Sequence, residues 1–390
     1  MSALGVRAFQ APRRVLLGPG PSEVSPLVLQ ALARPTVGHL DPAFLTLMDE
    51  IRAMLRAVFE CDYPLALPMS GTGSFGMETC VVNAIEPGDR VVVGVNGVFG
   101  GRLAEVARRA GGEVVEVSAP WGKALDPDAM RAAVKAHAPK VVALVHAETS
   151  TGVLTDLSPY RAICDEVGAL LLVDAVTSLG GVSVGVERFG IDWVYSGTQK
   201  CLSCPPGLAP IASSPRAEAA LTRRTTKVQS WYADLSLIRD YWGQSRAYHH
   251  TAPINLLYGL HEALRLVLEE GLAARETRHR AVGERLWRGL EALGLELLVD
   301  PAERLPQLTT VKVPDGVDEA RVRQALLDQY GIEIGGGLGP LKGKVWRIGL
   351  MGYGATVVNT TVIVGALSAT MRQLGRATGG DWVDALAAMG

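Results

Sequence analysis

Between residues 65 and 200 the chain alternates short apolar runs with amphipathic ones at a nearly even spacing, and that rhythm leaves few folds open. Runs rich in Val, Ile and Leu at 65–70, 90–95, 113–117, 140–145, 170–173 and 191–195 read as strands. Between them lie helical stretches, from after residue 101 to about 110, over 127–137 and over 160–166. A strand that returns parallel to its neighbour needs a covering helix, so the alternation predicts a doubly wound, mostly parallel α/β sheet with right-handed crossovers. An earlier amphipathic helix is expected over 41–60, with Phe44, Leu47, Met48, Ile51 and Leu55 on one face. Past residue 253 the rhythm changes. Two long helices (254–270 and 275–293), strands near 308–313 and 345–350, and helices at 319–330 and 362–374 suggest a smaller α+β unit. A length of 390 residues suits such a division. The expected parts are an N-terminal arm (1–20), a large α/β domain (21–255) and a small C-terminal α+β domain (256–390).

In a parallel sheet, ligands gather at the carboxyl ends of the strands. One apolar strand ends on Asp174; another runs through Ser196, Gly197, Thr198 and Gln199 to Lys200. Together they fit one chemical need: a lysine that forms a Schiff base with an aldehyde cofactor, and a carboxylate that keeps a pyridine nitrogen protonated. Either residue alone would serve equally as half of an ion pair at a sheet edge. Residues 65–80 place a strand, a turn of small residues and a helix in succession, a backbone geometry that cradles anions. Ser70, Thr72 and Ser74 add hydroxyls. Gly71, Gly73 and Gly76 also satisfy the dinucleotide pattern G-x-G-x-x-G. The next strand, however, ends in Asn96-Gly97 and not on the acid that a ribose would need, so the turn is read as binding phosphate without a dinucleotide.

Three further strand ends face the same edge. Phe99 sits at a strand-to-helix turn, where an aromatic ring is either core or a lid over a flat ligand. Glu148, Thr149 and Ser150 form a polar loop after the strand at 140–145. The stiff Gly-Pro-Gly-Pro bend at 18–21, Gly20 included, is a connector or the backbone edge of a substrate pocket. Arg347 interrupts the apolar run Val-Trp-Arg-Ile-Gly-Leu. A buried arginine seeks a carboxylate or a phosphate, either a local Asp or Glu or a bound ligand.

The overall charge of -2 offers no footprint for nucleic acid or an acidic membrane. No run of 18 apolar residues occurs, and the N-terminus lacks an apolar signal core, so a cytoplasmic location is expected. The five cysteines are too few for a disulfide scaffold. Cys201 and Cys204 form a lone C-x-x-C without a second ligand pair, so no metal site is expected and the two read as small buried residues.

The segments GPGPS (18–22), SGTGS (70–74), NGVFG (96–100), HAETSTGV (146–153), LLLVDAVTSLGG (170–181), YSGTQK (195–200), PPG (205–207), YHHT (248–251) and RIGL (347–350) follow one another as in class V aminotransferases. The chain most resembles their alanine–glyoxylate and serine–pyruvate (serine–glyoxylate) branch, over roughly residues 14–375. The resemblance implies the fold-type I architecture, pyridoxal 5'-phosphate as cofactor, and a homodimer with shared sites. It further implies transamination from alanine or serine to glyoxylate or pyruvate, with only small amino-acid and 2-oxo-acid partners. Carried over by position, Lys200 is the Schiff-base lysine and Asp174 the partner of the pyridine nitrogen. Thr72, Gly73, Ser74 and Gln199 cradle the phosphate, which Tyr248 and Thr251 reach from the other subunit. Thr149 lies near the ring hydroxyl, Arg347 grips the substrate carboxylate, and Gly20 lines the substrate side. Phe99 stands where the family commonly has Trp, and Ser74 where some relatives have His. A cysteine desulfurase shares the fold but keeps a nucleophilic Cys in its C-terminal third, and the last cysteine here is Cys204. A dehydrogenase is disfavoured by the missing ribose acid. A binding protein of the same fold would have little reason to keep both Lys200 and Asp174. A lyase of the same fold is a more distant alternative.

Overall fold

The computed structural model describes residues 7–389; the first six residues of the N-terminal arm and Gly390 lie outside it. The main sheet has seven strands: β1 (Leu65–Ser70), β2 (Arg90–Val95), β3 (Glu113–Ser118), β4 (Val141–Val145), β5 (Leu170–Asp174), β6 (Trp193–Tyr195) and β7 (Leu208–Ser213). Their order is β1-β7-β6-β5-β4-β2-β3. All neighbours pair in parallel except those of β7, which runs antiparallel to both β1 and β6. The reversed strand departs from the simple alternation. Its sequence, Leu-Ala-Pro-Ile-Ala-Ser, carries a proline that argues against a central strand. Pro210 lies directly opposite Pro68 on β1; its carbonyl accepts from the Ser196 amide, so its missing donor faces the β6 side, while that of Pro68 faces the open edge of the sheet.

Helices cover the sheet: α1 (Pro26–Leu32), α2 (Pro42–Phe59), α3 (Gly73–Ala84), α4 (Val98–Arg109), α5 (Pro127–His137), α6 (Tyr160–Asp165), α7 (Pro215–Thr222), α8 (Leu235–Trp242) and α9 (Ile254–Glu270). The six expected strands and most helices agree with this to within a residue or two. The short helices α7 and α8 were not anticipated, because each spans only 8 residues, too few for a helical period to stand out. Six strands of the main sheet and the buried faces of α2, α3 and α9 share one apolar core that includes Ile51, Leu55, Val92, Leu172, Trp193 and Leu257.

A second apolar core, with Trp346, Ile348, Leu286, Leu290, Ile363 and Leu367, is built by α10 (Leu272–Ala292), α11 (Glu319–Tyr330), α12 (Val357–Gln373) and a three-stranded antiparallel sheet. The strands of that sheet are β8 (Leu308–Lys312), β9 (Gly335–Gly336) and β10 (Val345–Gly349), with β10 in the middle. Helix α12 starts at Val357, earlier than expected, because the Thr356 side chain caps it by accepting from the Asn359 amide at 3.1 Å. Residues 15–16 pair with 332–333 and Leu17 is buried in this second core. The strap so formed delivers the Gly-Pro-Gly-Pro bend to the end of the main sheet.

Candidate active site

Register puts the chemistry in place. Val145, Asp174 and Tyr195 lie side by side at the carboxyl ends of β4, β5 and β6. The chain leaves β2 toward one edge of the sheet and β4 toward the other, so a crevice opens between their following loops, as at any such switch of direction. Phe99 comes from one of those loops and Thr149 from the other.

Asp174 is buried. Its Oδ2 accepts from the Tyr195 hydroxyl and its Oδ1 from the Val176 amide, each at 2.8 Å. Burial nevertheless pushes its pKa up to about 6, and the two hydrogen bonds only moderate the rise. Lys200 is also buried, and its Nζ donates to the Pro19 carbonyl. Burial, and after it the nearby Arg347 charge, bring its pKa down to about 8. Gly20, at φ +106°, passes so close that a Cβ there would stand 2.5 Å from Lys200 Nζ. Only glycine fits that approach.

The small-residue turn opens α3 as expected. Thr72 is its N-cap residue yet makes no side-chain cap bond. Gln199 Oε1 is buried without a hydrogen-bond partner. Thr72, Gly73, Ser74, Phe99, Thr149, Asp174, Gln199 and Lys200 all line one cavity of about 170 Å³. A helix N-terminus whose cap side chain is uncommitted, a buried carboxylate and a buried lysine suit a planar, aldehyde-bearing aromatic phosphate, to which the Gln199 amide could donate through its Nε2.

Arg347 sits mid-strand on β10, opposite Thr310 and Gly335. Its Nε donates to the Gly336 carbonyl at 2.8 Å and its Nη1 to the Thr149 carbonyl at 3.0 Å. No carboxylate bonds it among the described residues, so the local ion pair that the sequence left open is not formed. The guanidinium is held by two neutral acceptors, with Nη2 in neither bond.

Tyr248 and Thr251 are not brought to this cavity. Tyr248 is 60% exposed, and its hydroxyl lies 3.4 Å from Thr251 Oγ1 on the outside of the molecule. Their neighbour His250 does reach the turn, with Nε2 2.9 Å from Ser70 Oγ. Cys201 and Cys204 are buried, as expected, and burial pushes their thiols up to about 11 and about 12.

Two residues carry more than the sequence disclosed. Glu148 is fully buried at the N-terminus of α4. One oxygen accepts from the Phe99 and Gly100 amides at 3.1 and 3.2 Å, the other from the Ser150 amide and hydroxyl at 3.1 and 2.6 Å. A carboxylate at that helix end sets where Phe99 stands. The second is Arg102, on the cavity wall. The loops 18–22, 70–74, 96–100 and 146–153 contain no Arg or Lys, and reading them alone misses this cation one turn into the following helix.

A larger cleft of about 540 Å³, between α1, α9, α10 and residues 353–357, has mostly aliphatic walls around Glu270, Arg275 and Arg278. Arg275 and Arg278 are engaged with Glu270 and with backbone carbonyls, so this cleft offers no comparable reacting group.

Comparison with known proteins accords with this chemistry. The family model described as aminotransferase class-V matches residues 27–345. A (S)-ureidoglycine–glyoxylate transaminase of Bacillus subtilis is 40% identical, over 94% of this chain and 92% of its own. An alanine–glyoxylate aminotransferase of Rattus norvegicus is 41% identical, over 93% and 88%. The crystal structure of an alanine–glyoxylate aminotransferase from Nostoc sp. superposes with a TM-score of 0.93 at 50% identity, covering 94% of this chain and 97% of that one.

Proposed function

The chain belongs to the class V aminotransferases, and from that premise we propose that it moves the amino group of a small neutral amino acid, alanine or serine, to glyoxylate or pyruvate. The fold-type I architecture expected from the sequence is shared with its aminotransferase neighbours. The observation that carries the reading is the pairing of buried Lys200 and buried Asp174 in one cavity, Asp174 at the end of β5 and Lys200 in the loop after the adjacent β6, with the small-residue turn that opens α3 beside them. Pyridoxal 5'-phosphate is the resident cofactor in this reading. When bound, it supplies an aldehyde for the amino group and a pyridinium that accepts electron density from the substrate α-carbon.

The chain's own residues do the rest. Thr72, Gly73, Ser74 and Gln199 would hold the phosphate, and Phe99 and Val176 the ring. Asp174, charged above about pH 6, would hold a proton on the ring nitrogen. Lys200 would anchor the aldehyde carbon and then carry the proton at the substrate α-carbon. A lysine with its pKa near 8 is far more often neutral at pH 7 than an exposed one, which suits both tasks. Arg347 would take the α-carboxylate in its planar fork, next to the Thr149 carbonyl that orients it. Tyr248 and Thr251, turned away from this chain's cavity, would complete the phosphate site of a second subunit.

A second donor is suggested by the Bacillus subtilis relative, whose name specifies ureidoglycine. Ureidoglycine is likewise an α-amino acid with an uncharged side chain. Rates with alanine, serine and ureidoglycine against glyoxylate and pyruvate would rank the donors. A visible absorption band that borohydride abolishes would report the cofactor. A protein with neither the band nor any transamination would end this reading.

A further inference from the structure

A phosphate at residues 72–74 would leave a charge unanswered. Every other side chain assigned to it is neutral: Thr72, Ser74 and Gln199 in one subunit, Tyr248 and Thr251 from the next. A phosphate monoester carries about -1.5 to -2 charges at neutral pH. The N-terminus of α3 offers the equivalent of roughly half a positive charge. Neutral donors orient such an anion but leave most of its desolvation cost standing.

Arg102 is placed to meet that charge. It follows Phe99 by three positions on α4, so both side chains project from one face of the helix. Its guanidinium carbon lies 4.9 Å from the centre of the Phe99 ring, and Nη1 lies 3.4 Å from Ser74 Oγ. Elsewhere on the same helix Arg108 pairs with Glu116, and Arg109 with Glu105. Arg102 has no such partner among the described residues. Ser74, a member of the turn itself, presents only a short hydroxyl side chain to the guanidinium, which leaves the approach open.

We propose that Arg102 is a phosphate-binding residue of this enzyme, giving a charge-assisted hydrogen bond past Ser74 while its plane rests on Phe99. This rests on the reading of the cavity as the pyridoxal 5'-phosphate site. It also explains why a cation on the wall does not make the cavity a binder of dicarboxylic donors: the guanidinium is occupied by the cofactor's phosphate and is not available to a distal carboxylate.

The test separates the phosphate from the ring. Cofactor-free wild type, R102Q and R102K are titrated with pyridoxal 5'-phosphate and, separately, with pyridoxal, which lacks the phosphate, following protein fluorescence. R102Q is expected to bind pyridoxal 5'-phosphate about 10- to 100-fold more weakly, the range for losing a charged hydrogen bond, while pyridoxal affinity stays within about 2-fold. R102K, which keeps the charge but not the fork, should fall between. Inorganic phosphate should compete with the cofactor in wild type and less well in R102Q. Equal losses for both ligands would overturn the proposal, since Arg102 would then act only through Phe99. No loss for either would overturn it as well. Both results presuppose a wild type that binds the cofactor. A wild type that binds neither ligand and shows no borohydride-sensitive band sinks the reading of the cavity, and this inference with it.

Discussion

Asp174→Asn should make the cofactor-free protein more stable while removing most of its activity. The carboxyl is buried, and its pKa stands at about 6 against an ordinary 3.8. An acid whose folded pKa is raised binds more protons folded than unfolded between those two values. Folding stability therefore falls as pH rises through that window, and the full penalty holds above about pH 6. At about 1.4 kcal/mol per pKa unit, the gap corresponds to about 3 kcal/mol at pH 7.5, shrinking to roughly half at pH 5 and vanishing below about pH 4. Asparagine keeps the geometry: its carbonyl accepts from the Val176 amide, and the Tyr195 hydroxyl can turn to accept from its NH₂. Urea titrations of the two cofactor-free proteins at pH 7.5 and pH 5 would measure the gap and its closure. Turnover should drop on the order of 10²- to 10³-fold, because an amide cannot hold a proton on the ring nitrogen by charge. A variant less stable than wild type at pH 7.5, or a gap that does not narrow at pH 5, would refute the electrostatic reasoning. Unchanged turnover would refute the functional assignment.

Other outcomes follow from the same geometry. Arg347→Lys should raise the KM for amino donors at least about 10-fold with a smaller change in kcat, because one ammonium cannot keep both the Thr149 carbonyl and a planar carboxylate; steady-state kinetics on alanine will show the split. Glutamate should have a kcat/KM on the order of 100-fold or more below that of alanine, since a distal carboxylate would be buried without a free cation; comparable values would contradict the assignment of Arg102 to the phosphate. Glu148→Gln should cost about 1–3 kcal/mol of stability, because Gln leaves at least one of the Phe99, Gly100 and Ser150 donors unpaired, and it should weaken pyridoxal and pyridoxal 5'-phosphate binding alike. Tyr248→Phe should weaken cofactor binding only where subunits associate, so a fully active monomer in sedimentation would remove Tyr248 and Thr251 from the site.

What could be read from the chain alone divides along the distance over which each signal acts. Asp174 and the 70–74 turn were legible because each ends its own strand, and Lys200 because it lies in the loop that follows β6; strand ends in a parallel sheet share one edge regardless of the side chains between them. The antiparallel β7 was not legible, because pairing direction depends on which strands become neighbours, and Pro210 still joins the ladder through its carbonyl, which accepts from the Ser196 amide. Arg347 was legible as a buried cation, but its alternatives were decided in space: the acceptors that hold it are backbone carbonyls of Gly336 and Thr149, and no sequence pattern marks a carbonyl as free. Glu148 and Arg102 show the same limit from opposite sides. In the sequence Glu148 is merely an acid in a polar loop; its role arises because β4 lies beside β2, which carries the loop onto the first amides of α4. Arg102 looks like any charged residue on a solvated helix face. It gains meaning only when α4 lies against the start of α3 and a serine, in place of a bulkier side chain, leaves the space between them open. The residues proposed to meet a ligand's reactive end thus sit at strand ends or in the loops just after them. Those that balance its charge were set by helix packing, and the two small residues that line their approach, Gly97 and Ser74, are where the sequence allows that packing: a Cβ on Gly97 would stand 2.5 Å from the Glu148 carboxyl carbon.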